Sequence, residues 1–342
     1  MKLGITGLPL SGKTMLFEAI TRQVDPGKKG ESRIGTIRVP DARINRLSAM
    51  YNPKKTTYAQ VEYFLPGTLG TDGDAKEGQY WNQVRSCDAL IHVIRNFEAS
   101  QFDPPNPFHD FHKLDQELIF ADLVVAEKRL ERLNLDIERH RKISENEHKL
   151  LLACRETLEN EIPLRKKPEL AGNPLLRGFT FLSGRPMLTV FNNDEGYFEI
   201  PDYPEIVRNE SCLAICGRIE HEIARMSGED AATFLKEYGI AEAAVNRIIR
   251  ASYDLLGLMS FFTVGEDEVR AWTIHRETSA VDAAEAIHSD IKKGFIRAEV
   301  ILYQDLMEAG NYVAARKKGT VRLEGKTYTV QNGDIIDFRF NV

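Results

Sequence analysis

Apolar positions in this chain fall into short runs set between glycine-rich turns and charged stretches. Met1–Thr6 is the first such run, long enough for one strand. After a glycine-rich turn, Lys13–Thr21 reads as a helix with Leu16, Phe17 and Ile20 inward. Residues 24–33 carry Pro, Gly and charges and are loop by composition. Ile34–Val39 alternates weakly, as a strand does. Pro40-Asp41 then opens a helix running to Met50, in which Ile44, Leu47 and Met50 recur every third residue. Thr56–Leu65 is strand-like, and residues 67–78 form a glycine-rich loop without apolar periodicity. Ala89–Ile94, Met187–Phe191 and Cys212–Cys216 are compact apolar runs between polar segments, the signature of strands buried on both faces of a parallel sheet. Such strands alternating with helices predict an α/β domain with a mostly parallel sheet.

Two segments break this rhythm. From Asp115 to about Arg165 strand character disappears. Leu123, Leu130 and Ile137 recur at heptad spacing, with Ala126 and Leu133 filling the seam and charges of both signs around it. A second amphipathic helix, about Glu147–Glu161, carries Leu150, Leu151, Cys154 and Leu158, with Ile162 just beyond, so the pair predicts an antiparallel coiled-coil hairpin. Residues 219–258 are helical. From Phe261 a compact β-rich module begins, with strands expected at 261–264, 269–274, 297–302, 320–323, 327–330 and 335–340 and a helix near 280–293. The expected organisation is an α/β domain at 1–114 and 170–258, a helical hairpin at 115–169 and a small C-terminal domain at 259–342.

Composition narrows the function classes. Hydrophobic residues make up 42% and charged residues 28%, ordinary for a globular chain and too apolar for disorder. The balance of 45 basic against 51 acidic side chains, net −6, speaks against a protein that coats nucleic acid or anionic membrane by overall charge, while leaving room for a local basic patch; neither DNA nor a membrane is an expected partner. No apolar run reaches the ~18 residues of a membrane span. The start MKLGITG has no signal-peptide core, and four cysteines without CxxC spacing do not make a disulfide scaffold. A cytoplasmic location is the expectation.

The strongest chemical signal lies at the first strand–helix turn. Gly7-Leu8-Pro9-Leu10-Ser11-Gly12-Lys13-Thr14 fits G-x-x-x-x-G-K-[ST] without a gap. The glycines let backbone N–H groups converge on one concavity, Lys13 reaches β and γ phosphates, and the Thr14 hydroxyl ligates Mg²⁺. The following helix N-terminus adds partial positive charge. An apolar strand before the motif and an amphipathic helix after it supply the context it needs.

A base-reading group belongs at the carboxyl end of a later strand, where open α/β sheets bind ligands. Met187–Phe191 runs into Asn192-Asn193-Asp194-Glu195, where GTPases place N-K-x-D. Asn192 is kept, Asn193 replaces Lys, and the carboxylate belongs to Glu195. The longer acid weakens the case for guanine without by itself establishing adenine. Weaker candidates are Cys212 and Cys216, expected on one strand face as buried small hydrophobes. His109 and His112 form no metal-ligand spacing. The basic cluster Arg316-Lys317-Lys318, with Arg322 and Lys326, suits RNA phosphate or a solvated face.

With these residues assembled, the chain resembles the YchF-type Obg-like ATPases, P-loop proteins of the translation-factor-related GTPase class. Val39–Ile44 and Asn52–Lys55 resemble the segment after the family's first switch, and Glu127–Leu133 its coiled-coil arm. Glu268–Thr273, Lys293–Val300 and Asp337–Val342 resemble its C-terminal TGS domain. The resemblance covers nearly the whole chain and implies a P-loop NTPase with an inserted hairpin and a C-terminal β-grasp domain. It also implies ATP preferred over GTP through N-x-x-E (Asn192, Glu195), a Mg²⁺ requirement, and association with ribosomes. One departure concerns catalysis: Leu65 falls where the family carries the Asp of D-x-x-G, and no clear counterpart of the first-switch Thr is present between Asp25 and Arg33. Asp72 and Asp74 are substitute candidates near the metal. Three readings stand: a slow ATPase acting as a ribosome-associated switch, a hydrolysis-deficient adaptor working through hairpin and TGS-like domain, and a GTP-binding protein. A small-molecule kinase would need an acceptor site and an Arg-rich lid, and the sequence offers neither.

Overall fold

The structure, a computed structural model, describes residues 1–23, 30–67, 74–99 and 103–341, residues 74–77 by their helical backbone alone. In chain order the elements are β1 (Lys2–Thr6), α1 (Lys13–Thr21), β2 (Arg33–Arg38), α2 (Ala42–Tyr51), β3 (Lys55–Thr57), β4 (Gln60–Leu65), α3 (Asp74–Val84) and β5 (Ala89–Asn96). Then come α4 (Pro107–Glu138), α5 (Glu145–Glu159), α6 (Pro168–Ala171), β6 (Met187–Asn193), α7 (Pro204–Val207), β7 (Ser211–Ile215), α8 (Gly217–Arg225), α9 (Gly228–Glu237) and α10 (Ala244–Leu255). The chain continues through β8 (Leu258–Val264), β9 (Glu268–His275), α11 (Ala280–Ile287), α12 (Ser289–Lys293), β10 (Phe295–Leu302), α13 (Tyr303–Ala309), α14 (Tyr312–Lys318), β11 (Arg322–Glu324) and β12 (Asp334–Phe340). Contacts divide it into two units, Met1–Thr36 with Glu62–Ile248, and Ile37–Val61 with Ile249–Val342.

The first unit is built on a six-stranded sheet of order β2-β4-β1-β5-β6-β7, in which the pairings from β4 through β7 are parallel. Its central strands are apolar on both faces because helices cover both: Leu3 and Ile5 of β1 and Leu90, Ile91, Val93 and Ile94 of β5 are fully buried. This is the expected P-loop architecture. A long helix, α4, starts earlier than the expected Asp115, because Asn106 caps its first turn by accepting from the His109 N–H and Pro107 occupies the first helical position. Its outer part packs against α5 around Ala126, Leu130 and Leu133 facing Leu151, Cys154 and Leu158. The seam is shorter than the heptad suggests, since Ile137 and Ile162 are exposed.

In the second unit a six-stranded sheet of order β11-β10-β12-β8-β9-β3 lays one face on α11 around Phe261, Ala283, Ala284, Val300, Ile336 and Phe338. Residues 37–61, expected within the first domain, belong to this unit. The strand expected over Thr56–Leu65 is in fact two. Lys55–Thr57 pair in parallel with Glu268–Arg270 of β9, whereas Glu62–Phe64 pair with β1. Helix α2 is fixed by its Asp41 cap, whose carboxylate accepts from Arg43 N–H, and rests on β8 and β9.

Two further expectations change, and one stretch for which the pattern predicts no element proves helical. The segment 327–330 contributes only an isolated bridge, Ser279 to Thr329. Residues 303–318 form α13 and α14, each ended by a left-handed glycine, Gly310 and Gly319. Cys216 lies beyond β7, at the N-cap of α8, so it does not share a strand face with Cys212. None of the helices in the described residues is long and apolar enough to cross a membrane.

Candidate functional site

Gly7 to Thr14 links the end of β1 to the start of α1, as its motif requires. Two glycines are indispensable to its path. Gly7 sits at φ 145°, and a Cβ there would strike the carbonyl oxygen of Val93 on β5. Gly12 sits at φ 94°, and a Cβ there would strike the side-chain amide of Asn192. Between them Leu8, Pro9 and Leu10 form the outer turn, with Pro9 and Leu10 exposed.

Helix α1 begins with no side-chain cap and no acidic residue in its first turn, so its leading N–H groups and dipole are unshielded toward an anion. The Lys13 ammonium folds back into the loop and donates to the carbonyls of Gly7 and Leu8, each at 2.7 Å. Burial lowers its pKa to about 8, partly offset by the Glu117 carboxylate. The Ser11 hydroxyl is buried without a hydrogen-bond partner among the described residues. Thr14 is exposed, and its hydroxyl makes no hydrogen bond among the described residues, which suits a cation ligand. A loop holding a half-buried cation, an orphaned hydroxyl and a bare helix N-terminus fits a polyphosphate.

At the adjoining sheet edge lies a cavity of about 280 Å³, lined in part by Gly12, Met15, Phe97, Asn192, Glu195 and Arg218. Asn192, at the end of β6, is the keystone. Its amide donates to the Ser11 carbonyl at 3.0 Å and its oxygen accepts from the Gly217 N–H at 2.8 Å, locking the phosphate loop to the start of α8. Asn193 also borders the cavity, but its side chain is committed elsewhere. It donates to the carbonyls of Tyr197 and Glu199 and accepts from Asn96. Glu195 is exposed at the rim and pairs with Arg218 at 2.9 Å.

Sequence reasoning missed Met15, Phe97 and Arg218. Phe97 follows β5, Arg218 follows β7, and both strands end on the same edge as β6. The strand-end rule that found Asn192 would have found them, had it been applied to every strand.

On the metal side, β4 ends without a carboxylate. Leu65 is 6% exposed, and Phe64, which takes the first position when D-x-x-G is counted back from Gly67, is 5% exposed with the Lys2 ammonium over its ring. The Gly67 N–H is held by the Gln83 side chain at 3.1 Å, so a glutamine remote in sequence stands beside that glycine. Asp72 lies outside the described residues, and Asp74 heads α3 with its side chain outside them.

Comparison with known proteins places these features in a family. Residues 258–341 match a family model described as "YchF-GTPase_C: Protein of unknown function (DUF933)". The chain is 36% identical to the "Ribosome-binding ATPase YchF" of Bacillus subtilis, over 99% of both chains. It is 33% identical to the protein of that name in Escherichia coli O157:H7, over 100% of this chain and 99% of that one. The Schizosaccharomyces pombe YchF GTPase structure superposes with a TM-score of 0.84 at 26% identity, covering 99% of this chain and 97% of that one. Full-length relatedness at this level, joined to an intact phosphate loop and the matched C-terminal segment, shows that the chain belongs to the YchF family.

Proposed function

We propose that this protein binds ATP in preference to GTP at the Gly7–Thr14 loop, with Mg²⁺, turns it over slowly, and acts in the cytoplasm as a ribosome-associated switch. The observation that carries the reading is Lys13, a half-buried ammonium held on the loop's own carbonyls, where an anion would add a full opposite charge. Relatives named as ribosome-binding ATPases support the partner and the nucleotide. In this reading the nucleotide-binding part is 1–114 with 170–258, less the stretch 37–61 that belongs to the second unit, the hairpin 115–169 is an arm, and the TGS-like part begins near 259. Mg²⁺, held in part by Thr14, would neutralise charge building on the phosphates.

Adenine preference rests on Asn192 and Glu195. Glu195→Asp shortens the acid, draws it away from Arg218 and frees both oxygens for a guanine edge. Its expected effect is a shift of relative affinity toward GTP, read by competition binding of the two nucleotides. An unchanged ratio would remove Glu195 from base reading.

Slow turnover follows from the apolar end of β4. Neither Phe64 nor Leu65 can hold a metal-bound water, so catalysis is left to Lys13 and the helix N-terminus. Phosphate release is therefore expected to be slower than in a relative that keeps D-x-x-G. Equal rates under the same conditions would contradict this and make Asp72 or Asp74 the first candidates for the missing ligand. The same observation favours a second reading, a hydrolysis-deficient adaptor that binds nucleotide and partner but does not cycle.

Ribosome association is tested by co-sedimentation with purified ribosomes, with and without ATP. Lys317 and Lys318 at the end of α14 are exposed, whereas Arg316 is bonded to Glu299. Lys317→Glu with Lys318→Glu is expected to weaken pelleting if the C-terminal unit meets RNA phosphate. Pelleting unaffected by the pair would place the contact elsewhere.

A further inference from the structure

The cavity beside the phosphate loop carries a cation, Arg218, that the N-x-x-E motif does not explain. Arg218 is the second residue of α8, and its position is fixed from both sides. Before it, the Gly217 N–H is bonded to Asn192. After it, Glu220 is buried and accepts from the N–H groups of Ala244 at 2.8 Å and Val245 at 3.1 Å, tying α8 to α10. From this anchored turn Arg218 Nη1 meets Glu195 Oε1 at 2.9 Å, while its Nε lies 3.8 Å from Glu222. Asn192, which orders the turn before Arg218, also begins the turn that carries Glu195. The ion pair thus bridges the two strand ends that border the cavity.

We propose that Arg218 is the specificity-determining partner of Glu195, setting the preference for adenine over guanine by occupying one carboxylate oxygen and placing a cationic donor at the base edge. This deepens the adenine reading given above and rests on it. The argument is one of donors and acceptors. Guanine presents two neighbouring donors, its ring N1–H and its 2-amino group, and a carboxylate satisfies them only with both oxygens. With Oε1 shared with Arg218 and turned toward it, Glu195 keeps only Oε2 unshared for a base. That is enough for the single 6-amino donor of adenine. The ring N1 of adenine is moreover an acceptor, compatible with a guanidinium, whereas the guanine N1–H is a donor facing another donor. Arg218 therefore selects as much by what it opposes in guanine as by what it permits in adenine.

In the free protein the pair is solvent-exposed, with side-chain exposures of 71% for Arg218 and 57% for Glu195, so it contributes little to folding. Its effect is expected in the selectivity ratio and not in stability. This separates a positioning role from a structural one.

The experiment is a set of ATP and GTP titrations, with Mg²⁺, on the full chain and on Arg218→Ala, Arg218→Lys, Glu195→Gln and the double variant Arg218→Ala/Glu195→Gln. Arg218→Ala is expected to lower the ATP-to-GTP affinity ratio ~5–10-fold, a typical scale for loss of one discriminating contact. Arg218→Lys, which keeps the charge without the planar fork, is expected to restore part of it. In the Glu195→Gln background, removing Arg218 is expected to change the ratio no further. A parent that prefers ATP, with a ratio that Arg218→Ala leaves unmoved, overturns the Arg218 assignment and leaves the adenine reading standing. So does an equal drop with and without Glu195. A parent that binds GTP more tightly overturns both. Unfolding of the free Arg218→Ala protein is expected to match the parent, and a lowered stability would reassign the pair to a structural role.

Discussion

Lys13→Ala is expected to weaken ATP binding at least ~10-fold, about 1.4 kcal/mol or more, while the fold survives. The ammonium is held by two carbonyl oxygens of its own loop. Those contacts order the loop but are made to neutral carbonyl oxygens, with the Glu117 carboxylate acting on the charge as well. A polyphosphate replaces partial negative charges with full ones at the same spot, and alanine removes that gain entirely. Burial has lowered the Lys13 pKa to about 8, so the affinity of the parent for ATP is expected to fall as pH rises through 8. The variant should show no such inflection. Stability moves the other way. A buried lysine with a depressed pKa penalises the native state in full below about pH 8. Between there and the ordinary value of 10.5 the unfolded chain holds the proton that the native state has shed, so stability rises with pH. Calorimetric titration across this range checks the binding limb and urea unfolding checks the other. Equal affinity of variant and parent at neutral pH would remove Lys13 from the phosphate site.

Asp122→Ala is expected to destabilise the first unit by about 3–5 kcal/mol, the scale for breaking a buried ion pair from one side. Asp122 projects from α4 and is fully buried. One carboxylate oxygen accepts from Arg85 at 2.9 Å and from the Leu182 N–H at 2.9 Å, and the other from the Ser183 N–H at 2.7 Å. Alanine would leave two buried N–H groups without acceptors, and a guanidinium retaining only the carbonyls of Ala121 and Thr180. The residue ties the root of the helical hairpin to the segment that leads into β6, and so to the strand carrying Asn192. Urea unfolding of the full chain measures the loss. Asp122→Asn, which keeps an acceptor but drops the charge, is expected to fall between the two. A change below ~1 kcal/mol in Asp122→Ala would mean that the surroundings relax to satisfy what the carboxylate now satisfies.

Residues whose neighbours in sequence are also their neighbours in space were legible from the start. The phosphate loop needs only a strand, two glycines at fixed offsets, a lysine and a helix start, all within Lys2–Thr21. The buried strands declared themselves through uninterrupted apolar runs, and the hairpin through its heptad. Long-range events stayed hidden. The break between Thr57 and Gln60 arises because β3 finds its partner in β9, more than two hundred positions later, and local alternation says nothing of that. Helices α13 and α14 escaped notice because each has a single fully buried anchor, Leu306 and Ala315, too few to create a period. At the site, Asn192 and Glu195 stood out through their spacing. Asn193, the third base candidate, borders the cavity while its amide holds the carbonyls of Tyr197 and Glu199, a pairing that spacing does not reveal. Phe97, Arg218 and Gln83 reach the site from separate strand ends and a separate helix, without a motif to announce them.

The central claim is that the Gly7–Thr14 loop and the cavity beside it form an ATP site. Direct titration of the unmodified protein with ATP and with GTP, each with Mg²⁺, tests it most directly. The account predicts saturable binding of both nucleotides with ATP the tighter. GTP binding as tightly as ATP or more so, or no binding of either, would contradict it.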